Sequence, residues 1–75
     1  MSLEDNIILP SHYARFKIEP VRFIMENQLP FWAGNVIKYV CRYDAKNGIE
    51  DLKKARRYLD MAIKKLEGDE WFWKA

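Results

Sequence analysis

Gly34–Leu59, GNVIKYVCRYDAKNGIEDLKKARRYL, is the stretch whose reading decides the fold. Asn35, Lys38, Tyr39 and Arg42 recur at i, i+3, i+4 and i+7, the spacing that stacks side chains on one face of an α-helix. Asp51, Lys54 and Tyr58 repeat the pattern on the next predicted helix, and Lys46-Asn47-Gly48 between them is a strong helix stop. Two facing helices with such stripes make a cationic, hydrogen-bonding surface lined with phenols. That surface suits an anionic small molecule, with phosphate the first candidate.

Outward from this stretch the chain reads as helix and little else. Pro20 suits the first position of a helix carrying Val21, Phe23, Ile24 and Met25 to about Asn27 or Gln28, where Leu29-Pro30 breaks it. The second helix is predicted from Phe31 to Tyr43, with Val36, Ile37, Val40 and Cys41 as its apolar side. In the third, Asn47 and Glu50 fit a capping box, and Ile49, Leu52, Ala55, Leu59, Ala62, Ile63 and Leu66 form the core stripe. Lys53, Arg57, Asp60 and Lys64 face away, and Gly68 ends the helix. Residues 1–11 read as an irregular arm, interrupted by Pro10. Residues 67–75 form an acidic and aromatic tail whose Trp71-Phe72-Trp73 either folds back on the core or docks on a neighbouring subunit. The expectation is one all-α domain over 1–75, about three helices, with residues 12–66 as its core.

A chain of 75 residues buries too little surface to be comfortably stable alone. Cys41 is the single cysteine, so no disulfide can form within the chain, and a lone apolar-side thiol fits a reducing cytoplasm. One Cys and one His cannot build a zinc site within one chain, so no metal centre is expected. Met1–Asp5 is acidic, unlike a signal peptide, and no stretch approaches transmembrane length. These features point to a cytoplasmic protein that gains stability as a homo-oligomer, without a membrane partner. The net charge of +2 conceals an asymmetry: residues 11–65 hold twelve Lys or Arg against six Asp or Glu, while the ends are acidic. A basic middle favours an anionic partner.

Lys38 and Arg42, one turn apart, can clamp a phosphate, arginine bidentately and lysine as a point charge. Asn35 adds an amide for a base or sugar edge, and Gly34 leaves room for a ligand or a second backbone. The competing reading pairs Arg42 with Asp51 across the helices and makes Asn35 and Tyr58 satisfied core groups. Both can hold, with Asp51 orienting Arg42 from behind. Lys53, Lys54, Arg56 and Arg57 form a basic patch, but no helix-turn-helix pattern accompanies it and Glu50, Asp51 and Asp60 dilute it, which disfavours nucleic acid. His12, which titrates near neutrality, is a packing group or a phosphate contact from the arm. No Walker loop, dinucleotide fingerprint or carboxylate cage for Mg²⁺ is present in the sequence.

His12-Tyr13, Ile18-Glu19-Pro20, Gly34-Asn35 with Lys38-Tyr39 and Arg42, and Asp51-Leu52 with Lys54-Ala55 and Tyr58-Leu59 together resemble a small bacteriophage domain family known as phage nucleotide kinases. The resemblance runs from His12 to Leu66. It implies a phage protein acting in the infected bacterial host, a helical fold, oligomers and a nucleotide ligand. The shared residues are cationic and polar binders, with Glu19 and Asp51 the only acids, so kinase activity with ATP and Mg²⁺ stands as the alternative. The leading expectation is binding of a nucleotide or cyclic nucleotide signal, held away from a host defence system, by Asn35, Lys38, Tyr39, Arg42, Lys54, Tyr58 and His12. An interaction module for a host protein or nucleic acid is the third reading.

Overall fold

Glu19-Pro20 starts the first helix by two complementary means. Proline fixes the backbone for the first helical position, and the Glu19 carboxylate accepts from the amides of Val21 (3.1 Å) and Arg22 (3.2 Å). In the computed structural model, which describes residues 16–74, α1 spans Pro20–Glu26, α2 spans Phe31–Arg42 and α3 spans Ile49–Leu66. The fold is a small all-α bundle, and no strand occurs among the described residues. The arm and His12 lie outside them.

Gln28 takes a left-handed conformation (φ 52°) at the α1–α2 corner, and the Leu29 amide donates to the Ile24 carbonyl at 3.1 Å. This folds α1 back so that Ile24 lies on Gly34, where an added Cβ would stand 2.9 Å from Ile24 Cγ2. The gap at Gly34 is thus taken by a neighbouring helix. A short 3₁₀ turn, Tyr43–Ala45, leaves α2, and Gly48 at φ 57° reverses the chain while its amide donates to the Tyr43 carbonyl at 2.6 Å. The predicted Asn47–Glu50 capping box does not form. Gly48 occupies the cap position of α3, which leaves Asn47 one residue too early, and its side chain turns to Asp51 instead.

At the far end, Gly68 (φ 91°) closes α3 in a Schellman motif. Its amide donates to the Lys65 carbonyl and that of Asp69 to Lys64, both at 3.0 Å. Of the stripe expected to form the α3 core, Ala55 and Ala62 are buried and the larger apolar residues are not. The buried positions of the described chain are Pro20, Gly34, Asp51, Ala55 and Ala62. The α3 core line is therefore Asp51–Ala55–Tyr58–Ala62, and Leu52, Leu59 and Ile63 lie on an open flank with Ile49 and Leu66, 66% and 84% exposed. Small alanines let α2 and α3 approach closely, and the larger side chains stay at the edge. No helix of the described chain is long and apolar enough to cross a membrane.

Candidate functional site

The interhelical face is built around a buried carboxylate. Asp51, in the first turn of α3, is fully enclosed and accepts four hydrogen bonds. Arg42 Nε donates to Oδ2 and Nη2 to Oδ1, both at 3.2 Å, while the Asn47 amide reaches Oδ2 at 3.3 Å and Asn47 Nδ2 reaches Oδ1 at 3.4 Å. Burial alone would raise the carboxyl pKa, but the Arg42 and Asn47 hydrogen bonds and the Arg42 charge outweigh it and hold Asp51 below its ordinary range. The pair ties the last turn of α2 to the first turn of α3, which fixes the tilt of the two stripes.

Above this pair sit the phenols. Tyr39 of α2 and Tyr58 of α3 stack with ring centroids 6.1 Å apart and planes 14° from parallel. Phe31 meets Tyr58 edge-on at the same distance. Three cations surround the Tyr39 ring: Arg42 at 4.7 Å, Lys38 at 4.9 Å and Lys54 at 5.5 Å from its centroid. Among the described residues neither Lys38 nor Lys54 pairs with a carboxylate. Tyr39, Lys54, Arg57, Tyr58 and Met61 line an open cleft of about 280 Å³ beside the stacked rings.

Lys38, Tyr39, Arg42, Lys54, Tyr58 and Asp51 are thus brought together, and Asn35 is half-buried one turn earlier on the same face of α2. The division of labour differs from a Lys38–Arg42 clamp, because the Arg42 guanidinium is 12% exposed and bonded to both Asp51 oxygens. The pairing that competed with the clamp is the geometry present, and the cations beside the cleft are lysines and Arg57. Arg57 and Met61 were missed as cleft residues, although Lys54, Arg57, Tyr58 and Met61 themselves fall at i, i+3, i+4 and i+7. Among the described residues no group of His, Cys, Asp and Glu side chains could hold a metal ion.

Fold and site define a small all-α domain whose two longer helices are locked by a buried ion pair beneath a phenol stack ringed by cations. The chain belongs to the DUF3310 family, described as proteins of unknown function, whose pattern matches residues 7–60. That span contains every site residue expected from the sequence, from His12 to Tyr58, and stops one residue short of Met61 of the cleft. No curated protein and no solved structure matches the chain.

Proposed function

We propose that this protein binds a nucleotide, or a signal molecule derived from one, at the Tyr39–Lys54–Arg57–Tyr58 cleft, and holds it without turnover. The observation that carries this reading is the placement of Lys38 and Lys54 around a stacked phenol pair, among the described residues without carboxylate partners, beside an open cleft. Lys54 and Arg57 supply charge to phosphate, and the exposed edges of the phenols offer apolar surface and hydroxyls to base and sugar. Arg42 acts through Tyr39, as a fixed cation beneath the ring. Asn35 lies about one turn from Tyr39 on the same face of α2 and serves a sugar or base edge.

The resemblance to phage nucleotide kinases supports the nucleotide class. Both acids shared with that pattern are committed elsewhere: Glu19 caps α1, and Asp51 is enclosed by Arg42 and Asn47. That commitment favours retention over phosphoryl transfer, and retention would let a phage withhold a messenger from its host. A cleft of about 280 Å³ lies at the lower edge of ligand pockets, which span roughly 300–1,000 Å³. The reading includes a homo-oligomer, in which a second copy of the chain covers the open apolar flank of α3.

Equilibrium dialysis against mono-, tri- and cyclic nucleotides, with and without ATP and Mg²⁺, tests the proposal. A ligand depleted from solution and recovered unchanged after denaturing the protein is the expected result, with Lys54→Ala reducing the depletion. A phosphorylated product would replace binding with catalysis, and no depletion of any nucleotide would end the nucleotide reading.

A further inference from the structure

The cationic surface does not stop at the cleft. On its far side, Arg57 also lines a second recess, of about 230 Å³, together with Lys53, Arg56, Lys64 and Lys74, and Asp60 is the one acid in it. The two recesses share Arg57 and Met61, so they form one continuous surface along α3. From Lys53 to Lys64 that surface runs about 16 Å, at 1.5 Å per helical residue, well beyond the reach of a single phosphate.

Lys74 joins the recess because of how the tail folds. After the Gly68 reversal, the Asp69 carboxylate accepts from the Trp71 amide at 2.8 Å. Phe72 is half-buried and forms one wall of an apolar groove with Phe31, Trp32 and Ala62, with Lys65 Nζ 5.3 Å from its ring. Its neighbours turn outward: Trp71 and Trp73 are 58% and 52% exposed and meet edge-on at 5.7 Å. Lys74 Nζ sits 4.7 Å from the Trp71 ring and 5.7 Å from that of Trp73. The tail thus delivers both a cation and two open indole faces to the edge of the basic recess. Of the acids that dilute the basic patch in the sequence, Asp51 is sealed beneath α2 and Glu50 is not in the recess.

We infer that the ligand is longer than one nucleotide: a short single strand whose first unit occupies the Tyr39–Tyr58 cleft, whose backbone follows Arg57 into the Lys53–Lys64 recess, and whose following bases stack on Trp71 and Trp73. Alternating cations and exposed aromatic faces along a groove are the physical basis of single-strand binding, because every base has a π-face and every linkage a charge. The inference rests on the nucleotide reading of the first cleft.

Tryptophan fluorescence titrations of the full chain with thymidine monophosphate, thymidine triphosphate, an eight-residue oligothymidylate and its duplex form test it. The eight-mer should bind at least about tenfold tighter than the triphosphate, the effect of roughly one good stacking contact. Its affinity should fall with a log–log salt slope of about −2 to −3, as expected for three or four phosphates. Lys74→Ala and Trp73→Ala should remove that gain and leave mononucleotide binding and the melting temperature unchanged. Equal affinity for triphosphate and eight-mer would overturn the extended ligand and leave the nucleotide reading standing. Equal affinity for the duplex would overturn the single-strand assignment. A Trp73→Ala protein that keeps the length dependence but changes mass in light scattering would make the tail a protein interface. No response to any of the four would remove both readings together.

Discussion

Replacing Gly34 with alanine tests how α1 is held on α2, and its sign can be worked from the structure. Away from any contact, alanine in a helix interior is favoured over glycine by about 1 kcal/mol. Here the new Cβ meets Ile24 Cγ2 at 2.9 Å, at least about 0.6 Å inside a comfortable carbon–carbon contact. Ile24 cannot swing aside, because a β-branched side chain in a helix has one strongly preferred χ1, and Cγ2 is attached directly to the branch. Relief must come from moving α1 as a unit, at the overpacking cost of about 1–3 kcal/mol. The net expectation is a loss of about 1 kcal/mol, or roughly 4–8 °C in melting temperature for a domain of this size. The diagnostic is the background dependence. In an Ile24→Ala protein the obstructing methyl is gone, so Gly34→Ala should become stabilising by about 1 kcal/mol. Urea unfolding followed by far-UV circular dichroism, with m-values compared across the four proteins, reads the whole cycle. Stabilisation by Gly34→Ala in the wild-type background would refute the close α1–α2 packing.

Arg42→Ala should be among the most destabilising single substitutions, since it strands the enclosed Asp51 carboxylate, and Arg42→Ala combined with Asp51→Leu should recover much of the loss in a melting curve. Because Asp51 titrates below its ordinary value when folded, its contribution is complete above about pH 4 and disappears as pH falls through the lower folded value. Asp51→Asn should therefore flatten the acid limb of the stability curve. Lys54→Ala should weaken nucleotide binding by about 1.5–3 kcal/mol, the range for hydrogen bonds to charged groups, with no change in the unfolding midpoint; a shift in the midpoint alone would make Lys54 structural. Deleting residues 71–75 removes the Phe72 wall of the apolar groove and should lower the melting temperature or the mass seen by light scattering, and no change in either would show that the tail supports neither the fold nor an oligomer.

The helices were legible because their signals are local. Pro20, Leu29-Pro30, the Lys46–Gly48 stop and Gly68 punctuate the chain, and the observed bounds fall within a residue or two of the expected ones. The Arg42–Asp51 pairing was legible as one of two readings, since spacing placed both residues on facing stripes but could not say which partner the guanidinium takes. Sequence periodicity found the core face of α3 only in part, placing Ala55 and Ala62 correctly and the larger apolar residues too far inward. Seven apolar residues at helical spacing suggest a core, yet the face that packs is set by which side chains allow close approach, and Ala55 and Ala62 win that over Leu59 and Ile63. Gly34 was read as room for a ligand or a second backbone, and it is Ile24 of the preceding helix that comes close there, because a missing side chain does not announce which neighbour fills the gap. Arg57 was assigned to the outward face, where it does line a recess with Lys53, Asp60 and Lys64; that it also borders the cleft depends on the tilt of α3 against α2, which spacing does not give.

That tilt also bears on why a domain this small keeps an ion pair at its centre. An apolar pair of similar volume at 42 and 51 would often be as stable or more so, so stability alone does not account for it. Two helices in contact through alanines can slide past one another with little penalty, since small apolar side chains interdigitate weakly. A bidentate guanidinium–carboxylate contact with Asn47 closing the remaining lone pairs tolerates only one register, and in that register Tyr39 lies over Tyr58 and Lys54 reaches the Tyr39 ring. The hypothesis that register is the purpose predicts a separation of effects: the Arg42→Ala/Asp51→Leu protein should melt near the wild-type temperature and yet lose nucleotide binding. Retention of full binding in that protein would leave the pair with stability as its only role.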